Sequence, residues 1–409
     1  MRYAWVILLM IVGCVTKKAP DLQHQSTTLV PLGSWPALTD NGDLGHLKLA
    51  IDRQLDWFET IDDDRVWNFE GRAYGAEDMR DSLLIFQAHF DKVGGQNVRQ
   101  FLQRDFHLFQ MTVGATGDVL MTGYHAPVYS GSLVPDDHFR FPLYRMPDDV
   151  LTIETEAFAP EILRKGDRLV RGVVYSRLEG NRVLPYFSRT DIDRDGALEG
   201  RNLELVYLGA YVDAFLFHVQ GGGFVALPDG RFIKLNYAGK NGWPYRSIGR
   251  VLVEEGKVPQ EEISVPAIKQ YFQAHPEEEM RVCFVNQSYV FYQWDGLIHE
   301  NIELDHYPHG VLGFPVTPRR SIATDKRLFP GGALAWISGC QRTAEGDCKP
   351  ISGFVLDQDT GGAIEGAHID LFMGAGDEPE ENAGLMMDPH AFVYFLVATD
   401  EALARWRSQ

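Results

Sequence analysis

The sequence has few cysteines, few basic residues and no long apolar run. Four cysteines among 409 residues exclude a disulfide-rich scaffold. Lysine and arginine total 38 against 57 acidic residues, giving a net charge of −19. That balance excludes a long basic groove for nucleic acid, because duplex binding needs clustered cations. The chain also lacks a Gly-Lys-Ser/Thr phosphate loop and a Gly-x-Ser-x-Gly nucleophile elbow, and we expect no cofactor.

The composition that remains is that of a large, β-rich globular protein. Apolar residues make up 45% of the chain, aromatic residues 12%, and there are 40 glycines and 21 prolines. The length predicts two or three domains, since single cores stop growing at about 250–300 residues. The abundant turn formers favour many short strands.

The first 39 residues resemble a lipoprotein leader followed by a linker. Arg2 precedes an apolar run at residues 3–12, which is too short to cross a membrane, and Gly13-Cys14 ends it in the manner of a bacterial lipobox. We predict a signal peptide at 1–13, lipidation of Cys14 and a polar linker at 14–39. Val15 in place of Asp predicts sorting to the periplasmic face of the outer membrane of a Gram-negative cell. The alternatives are a plain secretory signal, or a buried segment with a chance cysteine.

The other cysteines are ambiguous. Cys340 and Cys348 enclose a short polar stretch that is typical of a hairpin tip, so a disulfide between them is plausible in a secreted protein. Two unlinked thiols are almost as compatible with the sequence, because geometry cannot be inferred from spacing. Cys283 is interpreted as a small buried hydrophobe.

Hydrophobic periodicity divides the chain into a helical start and a β-rich remainder. Helical spacing predicts helices at 44–61, 76–93 and 96–109, with Asp43 as a possible cap of the first. From residue 111 the period shortens to about two, which favours an antiparallel barrel or sandwich. The predicted strands include 118–124, 203–207, 214–219, 223–226, 231–235, 333–337, 351–356, 368–372 and 392–397. Two further helices are expected at 247–254 and 265–275.

Four glycine-rich segments carry polar and aromatic residues. They lie at 122–127, 218–223, 236–249 and 359–378. Glycine lets a backbone approach a ligand closely, aromatic rings stack on sugars, and amide or amine groups orient hydroxyls. Together they predict an extended polar cleft for a saccharide, without identifying a reaction.

Three of the ordered blocks carry a family resemblance. They are Tyr-Ala-Gly-Lys-Asn-Gly-Trp-Pro-Tyr-Arg-Ser-Ile-Gly-Arg at 237–250, Asn-Gln-Ser-Tyr-Val-Phe at 286–291 and Asp-Thr-Gly-Gly-Ala-Ile-Glu-Gly at 359–366. From about residue 40 to 400 the chain resembles the membrane-bound lytic murein transglycosylase A family with its C-terminal 3D domain. The resemblance implies a double-psi β-barrel formed by 40–125 and 295–409, a second β-barrel inserted at 126–294, and a substrate groove between them.

The resemblance also implies a reaction. The family cleaves the β-1,4 bond between N-acetylmuramic acid and N-acetylglucosamine in peptidoglycan, with the muramyl C6 hydroxyl as nucleophile, and leaves a 1,6-anhydro end. One carboxyl group suffices as acid and base because the nucleophile is already tethered. The family's acid matches Asp370, for which we expect burial to raise the pKa. The alternative is that Asp370 only caps a turn before Gly374.

Further site residues follow from the same resemblance. Asp359 is expected near the acid, or only in an Asx-turn, and Asp377 supports the acid or only begins a helix. The expected groove residues, each of which could instead serve only a tight turn, are Thr122, Gly123, Tyr124, Gln220, Gly221, Gly222 and Lys240. Partners implied are peptidoglycan strands, the outer membrane through the anchor, and wall-synthesis proteins.

Other possibilities are weaker. Residues 191–196 resemble the first half of a calcium loop, but Asn202 stands where a bidentate Glu is expected, and the histidines show no trusted zinc spacing, so we predict no metal. A hydrolase of the same bond would need a second carboxylate, for which Glu378 or Asp359 are candidates. A cell-wall binding protein without activity is the alternative from another class.

Overall fold

The computed structural model describes residues 27–62, 64–93, 97–112, 117–157, 164–165, 168–169, 173–260, 262–343 and 346–409. Up to residue 126 the strands are β1 (Thr27–Leu29), β2 (Val66–Phe69), β3 (Arg72–Gly75), β4 (Phe106–Met111) and β5 (Val119–Ala126). The helices there are α1 (Leu44–Phe58), α2 (Ala76–Val93) and α3 (Val98–Asp105).

The middle of the chain forms an insert. Its strands are β6 (Val128–Ser132), β7 (Phe141–Tyr144), β8 (Leu151–Glu154), β9 (Arg164–Lys165), β10 (Arg168–Leu169), β11 (Val173–Glu179), β12 (Arg182–Pro185), β13 (Glu204–Leu208), β14 (Gly223–Ala226), β15 (Phe232–Lys240) and β16 (Val290–Ile298). Its helices are α4 (Tyr211–Gln220), α5 (Ile248–Glu254), α6 (Val265–Ala274) and α7 (Pro276–Cys283). The predicted boundary at 294 falls inside β16.

The last part returns to strands. It contains β17 (Ser321–Thr324), β18 (Leu334–Arg342), β19 (Cys348–Asp359), β20 (His368–Ala375) and β21 (Met387–Ala398). Two helices accompany them, α8 (Asp377–Gly384) and α9 (Asp400–Arg407).

Strands from both ends of the chain close into the first barrel. The order β21-β18-β19-β17-β20-β5 returns to β21, with β5–β20 and β17–β19 in parallel. Parallel pairs need long connections, and here the whole insert lies between β5 and β17. β4 pairs with β21, and β1 with β4, so these two strands extend the sheet beyond the closed ring. This is the double-psi barrel part of the predicted fold.

The N-terminal helices cover this barrel. α1 begins where the sequence predicts, because the Asp43 carboxylate accepts from the His46 N–H at 2.8 Å. α1 and α2 bury apolar residues such as Ile51 and Phe86 against the barrel strands. The predicted class, mainly β with N-terminal helices, is confirmed.

A second barrel occupies the insert. Its sheet has the order β16-β15-β14-β6-β13-β7, and an Arg145–Tyr292 bridge connects β7 back to β16. α4, α5, α6 and α7 pack on it around Phe215 and Leu252. The small sheet β12-β11-β8 lies beside this barrel.

Two predicted elements are wrong. The third helix ends at Asp105 instead of residue 109, because Phe106–Met111 pairs with the edge of β21 and this pairing outweighs the helical spacing. Residues 214–219 lie in α4 and not in a strand. Residues 214–218 of α4 are all buried, so this run has no polar face, and such a pattern does not distinguish a strand from a buried helix.

The predicted linker is wrong for residues 27–39. Residues 27–29 form β1, and Trp35 and Leu38 are buried in the core. The segment is held because the Trp35 ring is buried in the core of the first barrel and the Trp336 indole donates to the Thr39 carbonyl at 2.8 Å. The signal peptide and Cys14 lie outside the described residues. No helix in the described ranges has both the length and the apolar character needed to cross a membrane.

The two barrels contact each other beside β5 and β20. A small apolar cluster joins Ala126 and Phe372 of the first barrel to Phe224 of the second. Next to it, Glu380 on α8 forms an ion pair of 3.1 Å with Lys269 on α6. The outer face of β5 and β20 therefore borders the insert.

Candidate active site

Asp370 lies in the middle of β20, between β17 and β5. Its register partners are Ala323 and Thr122. Ile369 and Leu371 are fully buried in the barrel, so the alternation of the strand turns Asp370 to the opposite face, where it is partly exposed. The alternative role of a turn cap is wrong, because Asp370 lies inside β20 and, within the described ranges, its carboxylate is hydrogen-bonded to Thr122 and to no turn backbone.

Thr122 is brought to Asp370 by the parallel pairing of β5 with β20. The Thr122 hydroxyl lies 2.8 Å from Oδ1 of Asp370, although the two residues are 248 positions apart. The same hydroxyl lies 2.8 Å from Nε2 of His368. Three side chains from two strands thus form a connected polar row.

The electrostatics of this row favour a protonated acid. Burial raises the pKa of Asp370 to about 7, a hydrogen bond from Thr122 opposes the shift, and the negative charge of Asp359 adds to it. At neutral pH Asp370 is therefore close to half protonated, which suits a group that must first give and then take a proton. Burial also lowers the pKa of His368, so its imidazole is neutral there.

Asp359 lies at the end of β19, where its oxygens are occupied. The Tyr124 hydroxyl donates to Oδ2 at 2.8 Å, and the Thr360 and Val311 N–H groups donate to Oδ1 at 2.8 and 3.1 Å. Burial raises its pKa, and these bonds oppose the shift. Asp359 therefore both orders a turn and places a negative charge near Asp370.

The glycines and Gln220 lie around this centre with different surroundings. Gln220 ends α4 and accepts from the His125 N–H at 3.3 Å, and Gly221 follows with a φ of +80° that favours glycine. Gly222 lies against the Leu235 carbonyl. A Cβ on Gly123 would meet Ala383 of α8 at 3.0 Å, so this glycine serves close packing.

Two predicted residues stand apart from the acid. Lys240 ends β15 opposite Val290, and no contact among the described residues joins it to Asp370. Asp377 begins α8, as one of its two predicted roles required, and in the same ranges its carboxylate has no hydrogen bond to Asp370. The predicted support of the acid by Asp377 has no contact behind it.

The cysteine pair is brought together by the β18–β19 hairpin. The Cα atoms of Cys340 and Cys348 are 5.5 Å apart, a separation that a disulfide spans. The hairpin therefore provides the geometry that the sequence alone could not, and the bond itself stays a prediction.

The carboxylates of the segment that resembles a calcium loop accept hydrogen bonds from other residues of the protein. Asp191 accepts from the backbone and hydroxyl of Ser188, and Asp193 accepts from the Tyr211 hydroxyl at 2.6 Å. Over the described chain, no group of three or more His, Cys, Asp or Glu side chains is arranged to hold a metal ion.

His368 is the residue that sequence reasoning missed. It lies two positions before Asp370, so the period of a strand places both side chains on one face of β20. That spacing was a usable signal. The insert contributes a second unassigned group in Lys234, whose amine lies 2.6 Å from Asp295, with Asn236 donating to the same carboxylate at 2.7 Å.

Comparisons with known proteins agree with this architecture. The profile of the MltA specific insert domain matches residues 120–293, and that of the 3D domain matches 320–396. Membrane-bound lytic murein transglycosylase A of Escherichia coli K12 is 30% identical over 301 residues, which cover 72% of this chain and 70% of that protein. The Vibrio cholerae protein of the same description is 31% identical over 272 residues, 66% of this chain and 62% of its own length.

Solved structures are similar over almost the whole chain. A membrane-bound lytic murein transglycosylase from Agrobacterium tumefaciens has a TM-score of 0.73 and 27% identity, covering 93% of this chain and all of its own. E. coli MltA with bound chitohexaose has a TM-score of 0.67 and 25% identity, covering 92% and 95%.

Proposed function

The chain belongs to the membrane-bound lytic murein transglycosylase A family, and from this premise we propose that it is a peptidoglycan lytic transglycosylase with Asp370 as its single general acid and base. The observation that carries the assignment of the acid is the position of Asp370 on the face of β20 that borders the insert, where partial burial raises its pKa to about 7. A carboxyl group that is protonated near neutrality can donate to a leaving oxygen.

The reaction needs no group beyond this carboxyl and the substrate. Asp370 donates its proton to the oxygen that leaves with N-acetylglucosamine as the bond to C1 of the muramyl residue breaks. The muramyl C6 hydroxyl then bonds to C1, and its proton returns to the Asp370 carboxylate. The product carries a 1,6-anhydro ring, and Asp370 ends protonated as it began. Tethering of the nucleophile to the sugar supplies the proximity that a water molecule would lack.

A hydrolase of the same bond is less compatible with the site. An inverting hydrolase needs a second, free carboxylate to activate water. Asp359 already accepts from Tyr124 and two backbone N–H groups, and Glu378 is exposed on α8. Neither is poised as such a base.

We further propose that a glycan strand lies along the border of the two barrels. Thr122, Tyr124 and Asp359 would face the cleaved bond, and Gln220 and Gly222 would contact the glycan strand from the side of the insert. We assign no role to Lys240. Support comes from the contact of the insert with the outer face of β5 and β20, and from the oligosaccharide in the related E. coli protein.

The proposed location is the periplasmic face of the outer membrane, through a lipid on Cys14. Its support is the lipobox-like end of the leader and the membrane-bound relatives. A single lipid-bearing terminus would hold the barrels beside the wall. An association with wall-synthesis proteins stays a prediction without a docking surface.

Product analysis tests the proposed activity. Protein lacking the first fourteen residues is incubated with intact sacculi, and the soluble muropeptides are weighed by mass spectrometry. We expect 1,6-anhydromuramyl ends, and we expect Asp370→Asn to lose at least about 100-fold in rate while still binding sacculi. Asp56→Asn, an exposed carboxylate on α1, is the matched control and should keep the wild-type rate.

The other outcomes contradict the proposal in different ways. Reducing ends in place of anhydro ends would make the protein a hydrolase. Binding to sacculi without release by the wild-type protein would make it a wall-binding protein. Undiminished cleavage by Asp370→Asn would remove Asp370 from the mechanism.

A further inference from the structure

The Thr122 hydroxyl has one proton and two candidate acceptors. Oδ1 of Asp370 and Nε2 of His368 both lie 2.8 Å from its oxygen. A hydroxyl donates one hydrogen bond and accepts others. If one of the two partners accepts the hydrogen bond from Thr122, the other partner must donate a hydrogen bond to the Thr122 oxygen.

The protonation state of His368 decides the direction. Burial lowers the pKa of the imidazole, so one ring nitrogen carries the single proton near neutrality. The Ala363 backbone carbonyl hydrogen-bonds to the ring, and a carbonyl can only accept. Since Nε2 is engaged with Thr122, we place the ring proton on Nδ1, toward Ala363. Nε2 then has a lone pair toward Thr122.

The remaining hydrogen bonds follow in one direction. Thr122 donates to Nε2 of His368, and its oxygen accepts from a protonated Oδ1 of Asp370. Building on the function proposed above, we propose that His368 is a positioning residue that draws the Thr122 proton away from Asp370 and so holds the acid in its protonated form before cleavage.

The cycle stays balanced with this arrangement. When Asp370 gives its proton to the leaving oxygen, the hydrogen bond from that proton to the Thr122 oxygen breaks. The Thr122 hydroxyl then turns from His368 to the new carboxylate and stabilises it. The carboxylate then takes the proton of the muramyl C6 hydroxyl, and Thr122 returns to His368. No proton enters from outside, and His368 never becomes charged.

The charged surroundings of Asp370 are simple. Asp359 at the end of β19 raises the pKa of Asp370, and the Tyr124 hydroxyl from β5 is bound to Asp359. β17 places Ala323 opposite Asp370, and β21 places Met387 opposite Thr122. Among the described neighbours at these register positions, His368 is thus the titratable group that acts through Thr122.

The test measures the carboxyl of Asp370 directly. Carbon-13 in aspartate side-chain carboxyls is followed by NMR against pH, and Asp370→Asn identifies the signal. We expect His368→Phe to lower the pKa of Asp370 by about one unit, because the freed Thr122 proton now binds the carboxylate. His368→Gln offers an amide oxygen as acceptor and should keep the shift within a few tenths of a unit.

A double-mutant cycle tests whether the effect of His368 on Asp370 passes through the Thr122 hydroxyl. In a Thr122→Val background, His368→Phe should leave the pKa of Asp370 unchanged, because the connecting hydroxyl is gone. A shift that persists in that background overturns the proposal, as does an unchanged or raised pKa in His368→Phe alone.

Activity supplies a second readout. The alkaline limb of kcat/KM for His368→Phe should move toward acid by the same unit, so the loss of rate is greatest above pH 7, and His368→Gln should restore it. An equal loss at every pH would mean a structural role and would overturn the proposal. The carboxyl titration requires no turnover, so failure of the transglycosylase assignment and failure of the His368 role are separate results.

Discussion

At Asp370 the requirement for catalysis opposes stability. Its pKa is raised in the folded protein, so the unfolded chain releases this proton at lower pH than the folded one. The free energy of unfolding then falls as pH rises from the ordinary carboxyl pKa to about 7 and stays reduced above it. The same burial that prepares the acid therefore weakens the fold at neutral and alkaline pH.

This linkage predicts that Asp370→Asn stabilises the protein as it inactivates it. The amide cannot ionise, so the variant should gain up to about 4 kcal/mol above pH 7. The gain should shrink as pH falls and vanish below about pH 4. Denaturant unfolding of both proteins across this range measures it. A gain that did not change with pH would show that the carboxyl is not destabilised by burial.

The two faces of β5 have different roles: one face carries residues of the candidate site, and the other packs against α8. Thr122 and Tyr124 lie on one face, where Thr122 contacts Asp370 and Tyr124 contacts Asp359. Gly123, which lies between them in the sequence, faces α8 on the other side of the strand. The close approach of α8 is possible because Gly123 has no side chain. The position of the acid's neighbours on β5 thus depends on the packing of α8 against that strand.

Gly123→Ala is expected to push α8 away from β5. Its Cβ would lie 3.0 Å from the Ala383 Cα, and we expect a loss of about 1–3 kcal/mol in unfolding free energy. Gly33→Ala, where nothing lies within 4 Å, is the control and should change stability by less than about 0.5 kcal/mol. Equal unfolding midpoints for the two variants would contradict the packing role of Gly123.

At the scale of the whole molecule, the catalytic face depends on both barrels. The apolar cluster that contains Phe372 and Phe224 and the ion pair between Glu380 and Lys269 join the first barrel to the insert beside β20. The proposed anchor would add a third constraint by keeping this pair of barrels near the membrane. A net charge of −19 gives little attraction to anionic lipids, so the proposed location depends on the proposed lipid rather than on the charge of the protein.

The anchor proposal predicts that Cys14→Ala releases the protein. The full chain, expressed in a Gram-negative cell, should sediment with outer membranes and incorporate labelled fatty acid, whereas the variant should do neither. Cys283→Ala, which removes a buried thiol, is the control and should stay in the membrane fraction. Cys14→Ala protein that remained in the membranes would exclude the lipid as the anchor.

Local signals in the sequence were sufficient for elements that stabilise themselves locally. α1 with its Asp43 cap, α2 and strands such as β5, β13–β15 and β18–β21 were predicted because apolar period and capping residues report on the adjacent chain. Asp370 was found because ordered blocks identify the family. α4 was missed because residues 214–218 are all buried and show no polar face. β4 was missed because its pairing with β21 outweighs the helical spacing of residues 106–109.

What the sequence by itself determined is therefore the composition of the elements, the absence of a basic groove and the candidate acid. Only the tertiary structure decided that Thr122, His368 and Asp370 form one row, that Asp359 is already occupied, and that Gly123 belongs to packing. The physical reason is that barrel closure pairs β5 with β20 across some 248 positions, and no local pattern encodes a pairing between such distant strands.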